Sequence, residues 1–150
     1  WVTEGSQPAK EVYTYDEKGN LAGEQFYEKN GELDREHIYQ YDQNGRQKLV
    51  AYIYTNPARR NEWTNHYDRK GNLSEQNYFS APGVLDQKTV FSYDDKKEVV
   101  EKKMYDAKGK LIKRISFRYV YDAKSNWISK TEYENEEPKR ISERTISYER

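Results

Sequence analysis

The sequence has no cysteine, one methionine and four prolines among its 150 residues, and its charges cancel. Without cysteine, disulfide bonds, thiolate metal sites and thiol catalysis are excluded. The basic and acidic residues number 26 each, and this balance argues against a general nucleic-acid binder. No apolar run approaches the ~18 residues of a membrane-spanning helix, so we expect no transmembrane segment.

Large apolar residues are also scarce. Leu, Ile, Val and Phe together number 25, and the mean hydropathy is −1.30. So low a share is typical of disordered chains only when the net charge is high, and here the net charge is zero. The 15 tyrosines and three tryptophans replace the missing apolar side chains, because aromatic rings bury large areas and tolerate water at one edge.

An internal repeat organises the chain. Six tyrosines recur at a nearly constant spacing, and aspartate follows each of the first five. These tyrosines are Tyr15, Tyr41, Tyr67, Tyr93, Tyr121 and Tyr148. After each of the first five, a second aromatic residue stands near the middle of the interval. The spacing indicates five units of about 26 residues, each built from two half-units.

Each half-unit carries the chemistry of a tight turn. The order is aromatic, acidic or small, two polar residues, glycine, a polar residue and an apolar residue, as in Tyr15-Asp-Glu-Lys-Gly-Asn-Leu21. Aspartate caps such a turn through its side chain, and glycine accepts the positive φ at its end. Six of the eight glycines occupy this position, namely Gly19, Gly31, Gly45, Gly71, Gly83 and Gly109.

These turns predict an all-β fold. We expect an antiparallel meander of about eleven strands in sequence order, as a single curled sheet or an open barrel, with no substantial helix. The whole of residues 1–150 is predicted to be one domain, with residues 1–10 as a flexible N-terminal segment. The segment after Tyr54, residues 55–61, departs from the repeat and is predicted to be a longer, irregular loop.

The turn geometry also predicts which side chains meet. Tyr15 should lie across from Leu21, and the equivalent aromatic and apolar residues should pair in the other hairpins. The separations between successive pairs are even, so the pairs are predicted to share one face of the sheet. The opposite face is predicted to be more polar. It includes Glu24, Phe26, Val50 and Tyr52.

The motif Tyr-Asp-x-x-Gly-[Asn/Lys/Arg]-Leu resembles that of the bacterial YD (RHS-type) repeat family. The resemblance extends from Tyr13 to Tyr148, with Lys97 and Ser125 in place of the turn glycine. In that family the repeats form hairpins in large secreted or cell-surface proteins, some of which enclose a toxin and some of which are linked to carbohydrate binding. The resemblance therefore implies a short stand-alone bacterial member that is secreted, periplasmic or surface-anchored.

Residues with catalytic or metal-binding chemistry do not form recognisable patterns. His37 and His66 lie far apart in the sequence, and neither has a second ligand at metal-site spacing. The repeated aspartates are explained by turn capping, and no serine sits in a nucleophile elbow. We therefore expect no catalytic residues, no metal site and no cofactor, and interpret the protein as non-enzymatic.

One group of residues suits ligand binding. Trp63, Tyr39, Arg35 and His37 are predicted to share the middle of the pair-bearing face. Aromatic rings beside amides and charges suit sugars or peptides, with Arg35 and His37 as polar anchors. The alternative is that these side chains merely fill the inside of a curled sheet.

Two classes of function follow. The first is a secreted or cell-envelope scaffold that binds a glycan or a peptide at the cell surface. The second is a protein-interaction partner, such as an assembly or immunity factor or a fragment of an RHS-type toxin shell. No nucleic-acid partner is expected in either case.

Overall fold

The computed structural model of the chain describes residues 9–55 and 57–148. These residues form eleven strands and no helix, so none of them lies in a helix able to span a membrane. The strands are β1 (Lys10–Tyr15), β2 (Leu21–Tyr27), β3 (Leu33–Tyr41), β4 (Gln47–Thr55), β5 (Ala58–Tyr67), β6 (Leu73–Ala81), β7 (Val84–Tyr93), β8 (Val99–Asp106), β9 (Leu111–Tyr121), β10 (Trp127–Glu134) and β11 (Glu137–Glu143). The predicted fold class and strand number are confirmed.

The strands follow their sequence order in one sheet, with β1 and β11 at its edges within the described ranges. The sheet is therefore open. The chain divides into two compact units. The first unit contains the described residues up to His66 together with Gln76–Asp86, and the second contains Tyr67–Glu75 and the residues from Gln87 onwards. Residues 1–8 of the predicted flexible segment lie outside the described residues, and Lys10 already belongs to β1.

The turns have the predicted chemistry. In the first, Asp16 Oδ1 accepts hydrogen bonds from the backbone N–H groups of Lys18 at 2.9 Å and Asn20 at 2.8 Å. The N–H of Gly19 donates to the Asp16 carbonyl at 3.0 Å, with a φ of 83° at the glycine. Five further aspartates cap their turns in the same way, namely Asp42, Asp68, Asp94, Asp106 and Asp122.

The expected cross-strand pairs are present in most of the described hairpins. Six of them are observed, namely Tyr15 with Leu21, Tyr27 with Leu33, Tyr41 with Gln47, Tyr93 with Val99, Tyr105 with Leu111 and Tyr121 with Trp127. The repeat also predicts Lys139 opposite Tyr133 in the last hairpin, and this pair is wrong, because Tyr133 pairs with Pro138.

The predicted face assignment is wrong because each of these hairpins contains a bulge. Tyr27 lies opposite Leu33, whereas Phe26 lies opposite Arg35, so Asp34 is an extra residue. Phe26 and Tyr27 are adjacent and point to opposite faces, and Leu33 and Arg35 must therefore do so as well. The extra residues of the seven hairpins are Ala22, Asp34, Lys48, Val100, Ile112, Ile128 and Lys139.

The predicted irregular loop at residues 55–61 is also wrong. Thr55 pairs directly with Ala58, so β4 and β5 run as regular strands up to the turn between them, in which Asn56 lies outside the described residues. Pro57 stands in this turn, where its fixed φ suits a reversal of the chain.

Very little of the sheet is buried. Within the described residues only Val50, Ala51 and Thr89 are buried, and they lie in β4 and β7. Most other strand residues are half-exposed. Stability must therefore come from backbone ladders and from side chains packed beside one another on each face.

Candidate functional site

Two series of residues in the first unit recur at the length of one half-unit, which is about 13 residues. Each half-unit adds one antiparallel strand and an odd number of residues, so residues one half-unit apart fall on the same face. The first series is Glu24, His37, Val50, Trp63 and Gln76, and the second is Phe26, Tyr39, Tyr52, Asn65 and Tyr78. Together they make one face of the first unit, which we call the aromatic face.

A carboxylate with two partners lies at the β2–β3 side of this face. His37 Nδ1 is 2.9 Å from Glu24 Oε2, and the Tyr39 hydroxyl donates to the same oxygen at 2.7 Å. These two hydrogen bonds hold the pKa of the Glu24 carboxyl below its usual range, and the one from Tyr39 has the larger effect. Burial and the Glu24 carboxylate raise the pKa of Tyr39. The arrangement fixes the direction of the His37 ring.

A row of rings crosses five strands from this point. The ring centroids of Phe26 and His37 are 4.9 Å apart, and those of His37 and Tyr52 are 4.5 Å apart. Trp63 follows at 5.4 Å from Tyr52, and Tyr78 follows at 5.0 Å from Trp63. Such ring contacts stabilise by about 0.5–1.5 kcal/mol beyond area burial. The row therefore replaces part of the missing aliphatic core and leaves its members half-exposed.

Arginines cover the β2–β4 end of the same face. The Arg35 guanidinium lies 4.2 Å from the centre of the Phe26 ring and is paired with Asp34 at 2.8 Å. The Arg59 guanidinium lies 4.1 Å from the centre of the Tyr54 ring. Guanidinium groups in these positions gain cation–π attraction and still present N–H donors to solvent.

A shallow depression of about 290 Å³ opens beside Trp63. It is lined by Gln47, Val50, Tyr52, Trp63, Asn65 and Gln76. The Gln76 side-chain amide donates to Asn65 Oδ1 at 3.0 Å, and the Asn65 amide donates to the Gln47 carbonyl at 3.0 Å. The amides are therefore held in fixed orientations next to two ring edges. Rings beside fixed amides are the usual lining of a sugar or peptide site.

The four predicted site residues do lie on one face, but they form two neighbouring groups. His37 and Tyr39 meet at Glu24, and Arg35 reaches them through the Phe26 ring. Trp63 lines the depression and is joined to His37 through the Tyr52 ring. Trp63 is half-exposed, which the binding hypothesis requires.

The sequence prediction places four members of this site on the wrong face. It assigns Glu24, Phe26, Val50 and Tyr52 to the opposite face, although each of them lies beside His37 or Trp63. They stand on β2 and β4, where the bulge reverses the parity on which the prediction depends. The half-unit recurrence of the two series is the signal that places them correctly.

The aromatic face offers directed hydrogen bonds, ring edges and guanidinium groups. Across residues 9–55 and 57–148, no group of three or more histidine, aspartate or glutamate side chains is placed to hold a metal ion. His66 lies on β5 and is exposed, away from the Glu24 carboxylate that holds His37.

Comparisons with known proteins do not identify a family. No family model matches the sequence, and no curated protein matches it, so membership in the YD-repeat family stays a prediction. Among solved structures, a protein of unknown function from Bacteroides fragilis NCTC 9343 is similar over 91% of this chain and 93% of its own. The two are 14% identical, and the TM-score is 0.28.

Proposed function

We propose that this protein is a non-enzymatic binding module that recognises carbohydrate on its aromatic face. The observation that carries the proposal is the depression beside Trp63, where two half-exposed rings meet two oriented side-chain amides, those of Asn65 and Gln76. Sugars bind by stacking an apolar ring face on an aromatic side chain and by hydrogen bonds from their hydroxyls to amides. The depression provides both kinds of contact within one short distance.

The proposal includes a location outside the bacterial cytoplasm. The Tyr-Asp-x-x-Gly turn motif resembles that of secreted and cell-surface repeat proteins, and a sheet with capped turns suits exposure to solvent on both faces. We propose a member of that family, secreted, periplasmic or attached to the cell surface. Fractionation of the native bacterium with an antibody to the protein tests this part separately.

The binding proposal is tested with a glycan array followed by calorimetry on the strongest ligand. Trp63→Ala should abolish the binding, because the variant removes the largest ring at the depression. Trp63→Phe should retain a measurable part of it, since a ring remains. Far-UV circular dichroism and the denaturation midpoint of each variant show whether the sheet is intact.

The matched control is Trp127→Ala, which removes a tryptophan from the second unit. This variant should bind the same glycan as the unaltered protein. Failure of the array to show any glycan, or equal losses in Trp63→Ala and Trp127→Ala, would overturn the proposed site.

A further inference from the structure

The second unit carries a ladder in which lysines alternate with aromatic rings. The Lys102 ammonium lies 5.7 Å from the centre of the Phe91 ring and 5.6 Å from that of Phe117. The Lys130 ammonium lies 5.7 Å from the Phe117 ring and 5.7 Å from the Trp127 ring. These five residues, on strands β7 to β10, are named the lysine ladder below. All five are half-exposed.

The charges of the ladder are not neutralised by the protein. Within the described residues, neither Lys102 nor Lys130 has a carboxylate within ion-pair distance, whereas Lys113 on β9 is paired with Glu134 at 2.9 Å. The cross-strand register places Glu132 opposite Phe117 and next to Arg140 of β11, so this carboxylate shares the face with a further cation. The ladder therefore presents a surplus of positive charge.

The surplus extends to the whole second unit. Residues 67–75 and 87–150 contain 18 lysines and arginines against 14 aspartates and glutamates. The remaining residues contain 8 against 12. The zero net charge of the chain is thus the sum of an acidic first unit and a basic second unit. A basic surface draws acidic partners towards it and raises their rate of association.

The face around the ladder is also incompletely covered. The register places Met104 and Ile115 on the same face as Lys102, and both are half-exposed. Of the described residues on this face, Thr89 alone is buried. One face of a sheet normally packs against a second layer of structure. Aromatic side chains and methionine are enriched at protein interfaces, and unpaired cations beside them select an acidic partner.

We propose that the lysine ladder is a docking site for an acidic segment of a partner protein. Carboxylates of the segment pair with Lys102 and Lys130, and its apolar side chains cover Met104 and Ile115. The two ammonium groups lie 5.6 Å and 5.7 Å from the centre of the same Phe117 ring, so they are at most about 11 Å apart. Alternate side chains on one side of an extended peptide are about 7 Å apart, and the flexible carboxylate side chains span the difference. The inference does not rest on the carbohydrate proposal, because it uses other residues in the other unit.

Two other polyanions, an acidic glycan and a nucleic acid, fit the ladder less well. The sugar rings of a glycan need an open aromatic face to stack on, and here the lysine ammonium groups lie against the rings. A polynucleotide brings a phosphate at every nucleotide, and the two lysines of the ladder neutralise only two of these charges.

The test measures binding of a fluorescent random copolymer of glutamate and tyrosine to the full chain, by anisotropy at low and at physiological ionic strength. Heparin and an oligothymidylate serve as the acidic glycan and the nucleic acid. The copolymer should bind most tightly, and its affinity should fall as salt rises. The double variant Lys102→Gln/Lys130→Gln retains the side-chain stems, and it should lose about tenfold in affinity.

Two further double variants make the result specific. Lys108→Gln/Lys110→Gln removes the same charge from an exposed turn of the same unit, and it should leave the affinity within about twofold. Lys102→Arg/Lys130→Arg retains the charge and should retain the binding, with circular dichroism as the check of folding. Tighter binding to heparin or to the oligothymidylate, equal losses in the two glutamine variants, or no copolymer binding at low ionic strength would overturn the proposal.

Discussion

Lys97 has a φ of 65° at the turn position where Gly19 has a φ of 83°. Both residues donate their backbone N–H to the carbonyl of the turn aspartate, at 3.1 Å and 3.0 Å. The turn therefore imposes the left-handed conformation on a residue that carries a Cβ.

Lys97→Gly should stabilise the protein by about 1 kcal/mol, because glycine adopts positive φ without the penalty of a side chain. The midpoint of urea unfolding measures the change. Gly19→Ala is the converse variant, since no atom within 4 Å would meet the added Cβ and only the backbone conformation opposes it. A Lys97→Gly midpoint equal to that of the unaltered protein would contradict this account of the turn.

Gly23→Ala should destabilise the protein, although glycine is a poor strand residue. A Cβ at this position would lie 2.8 Å from Thr14 Oγ1 on β1. Thr14 is β-branched and cannot move its hydroxyl far, so the clash should cost about 1 kcal/mol net. With Thr14→Ala in the background, Gly23→Ala should instead be stabilising. Equal effects of Gly23→Ala in the two backgrounds would show that the contact is not responsible.

Stability should fall in acid because the turns hold ionised aspartates. Hydrogen bonds lower the pKa of Asp16, and the one from the Asn20 side chain has the largest effect. Hydrogen bonds from Arg46 lower the pKa of Asp42. Unfolded aspartates titrate near pH 4, so below that value the unfolded chain binds more protons than the folded one. The stabilisation is complete above about pH 4 and is lost as the pH falls through the folded-state pKa values.

Urea unfolding between pH 7 and pH 2.5, at constant ionic strength, measures this dependence (a range chosen around the ordinary aspartate pKa of about 4). Asp42→Asn should be less stable at neutral pH and should show a shallower loss in acid. A stability that stays constant down to the lowest pH would contradict the role of the turn carboxylates.

The Tyr52 and Trp63 rings should be energetically coupled. A double-mutant cycle with Tyr52→Leu and Trp63→Leu should give a coupling free energy of about 0.5–1.5 kcal/mol, from the edge contact at 5.4 Å. The control cycle combines Trp63→Leu with Tyr27→Leu, since Tyr27 lies on the other face of the first unit. Coupling of equal size in both cycles would indicate a change of the whole unit and not a ring contact.

The strands and turns could be predicted from the sequence because their determinants are local. Asp16 and Gly19 stand in the same turn, and their chemistry alone selects its type. The repeated turn then fixes the order and direction of the strands. No comparable mark identifies a bulge residue. Ala22, Asp34 and Lys48 occupy equivalent positions and share no side-chain property.

The candidate site could be predicted only in part, for the same reason. The sequence places His37 and Trp63 on a common face correctly. They stand on β3 and β5, two odd-numbered strands on which the face assignment made without bulges is right. Their partners Glu24 and Tyr52 stand on even-numbered strands, where it fails. Contacts between neighbouring strands depend on every bulge between them, and so a single uncounted residue is enough to separate the partners.

The bulge also determines how such a chain can grow during evolution. A half-unit holds one strand and one turn, and its odd length returns every later side chain to the face it had before. Duplication or loss of one half-unit would therefore lengthen or shorten the sheet by a strand and keep the aromatic face intact. An insertion of a single residue within a strand would exchange the two faces of everything that follows. A protein of this kind can change its number of strands in single steps while the side chains on each face stay the same.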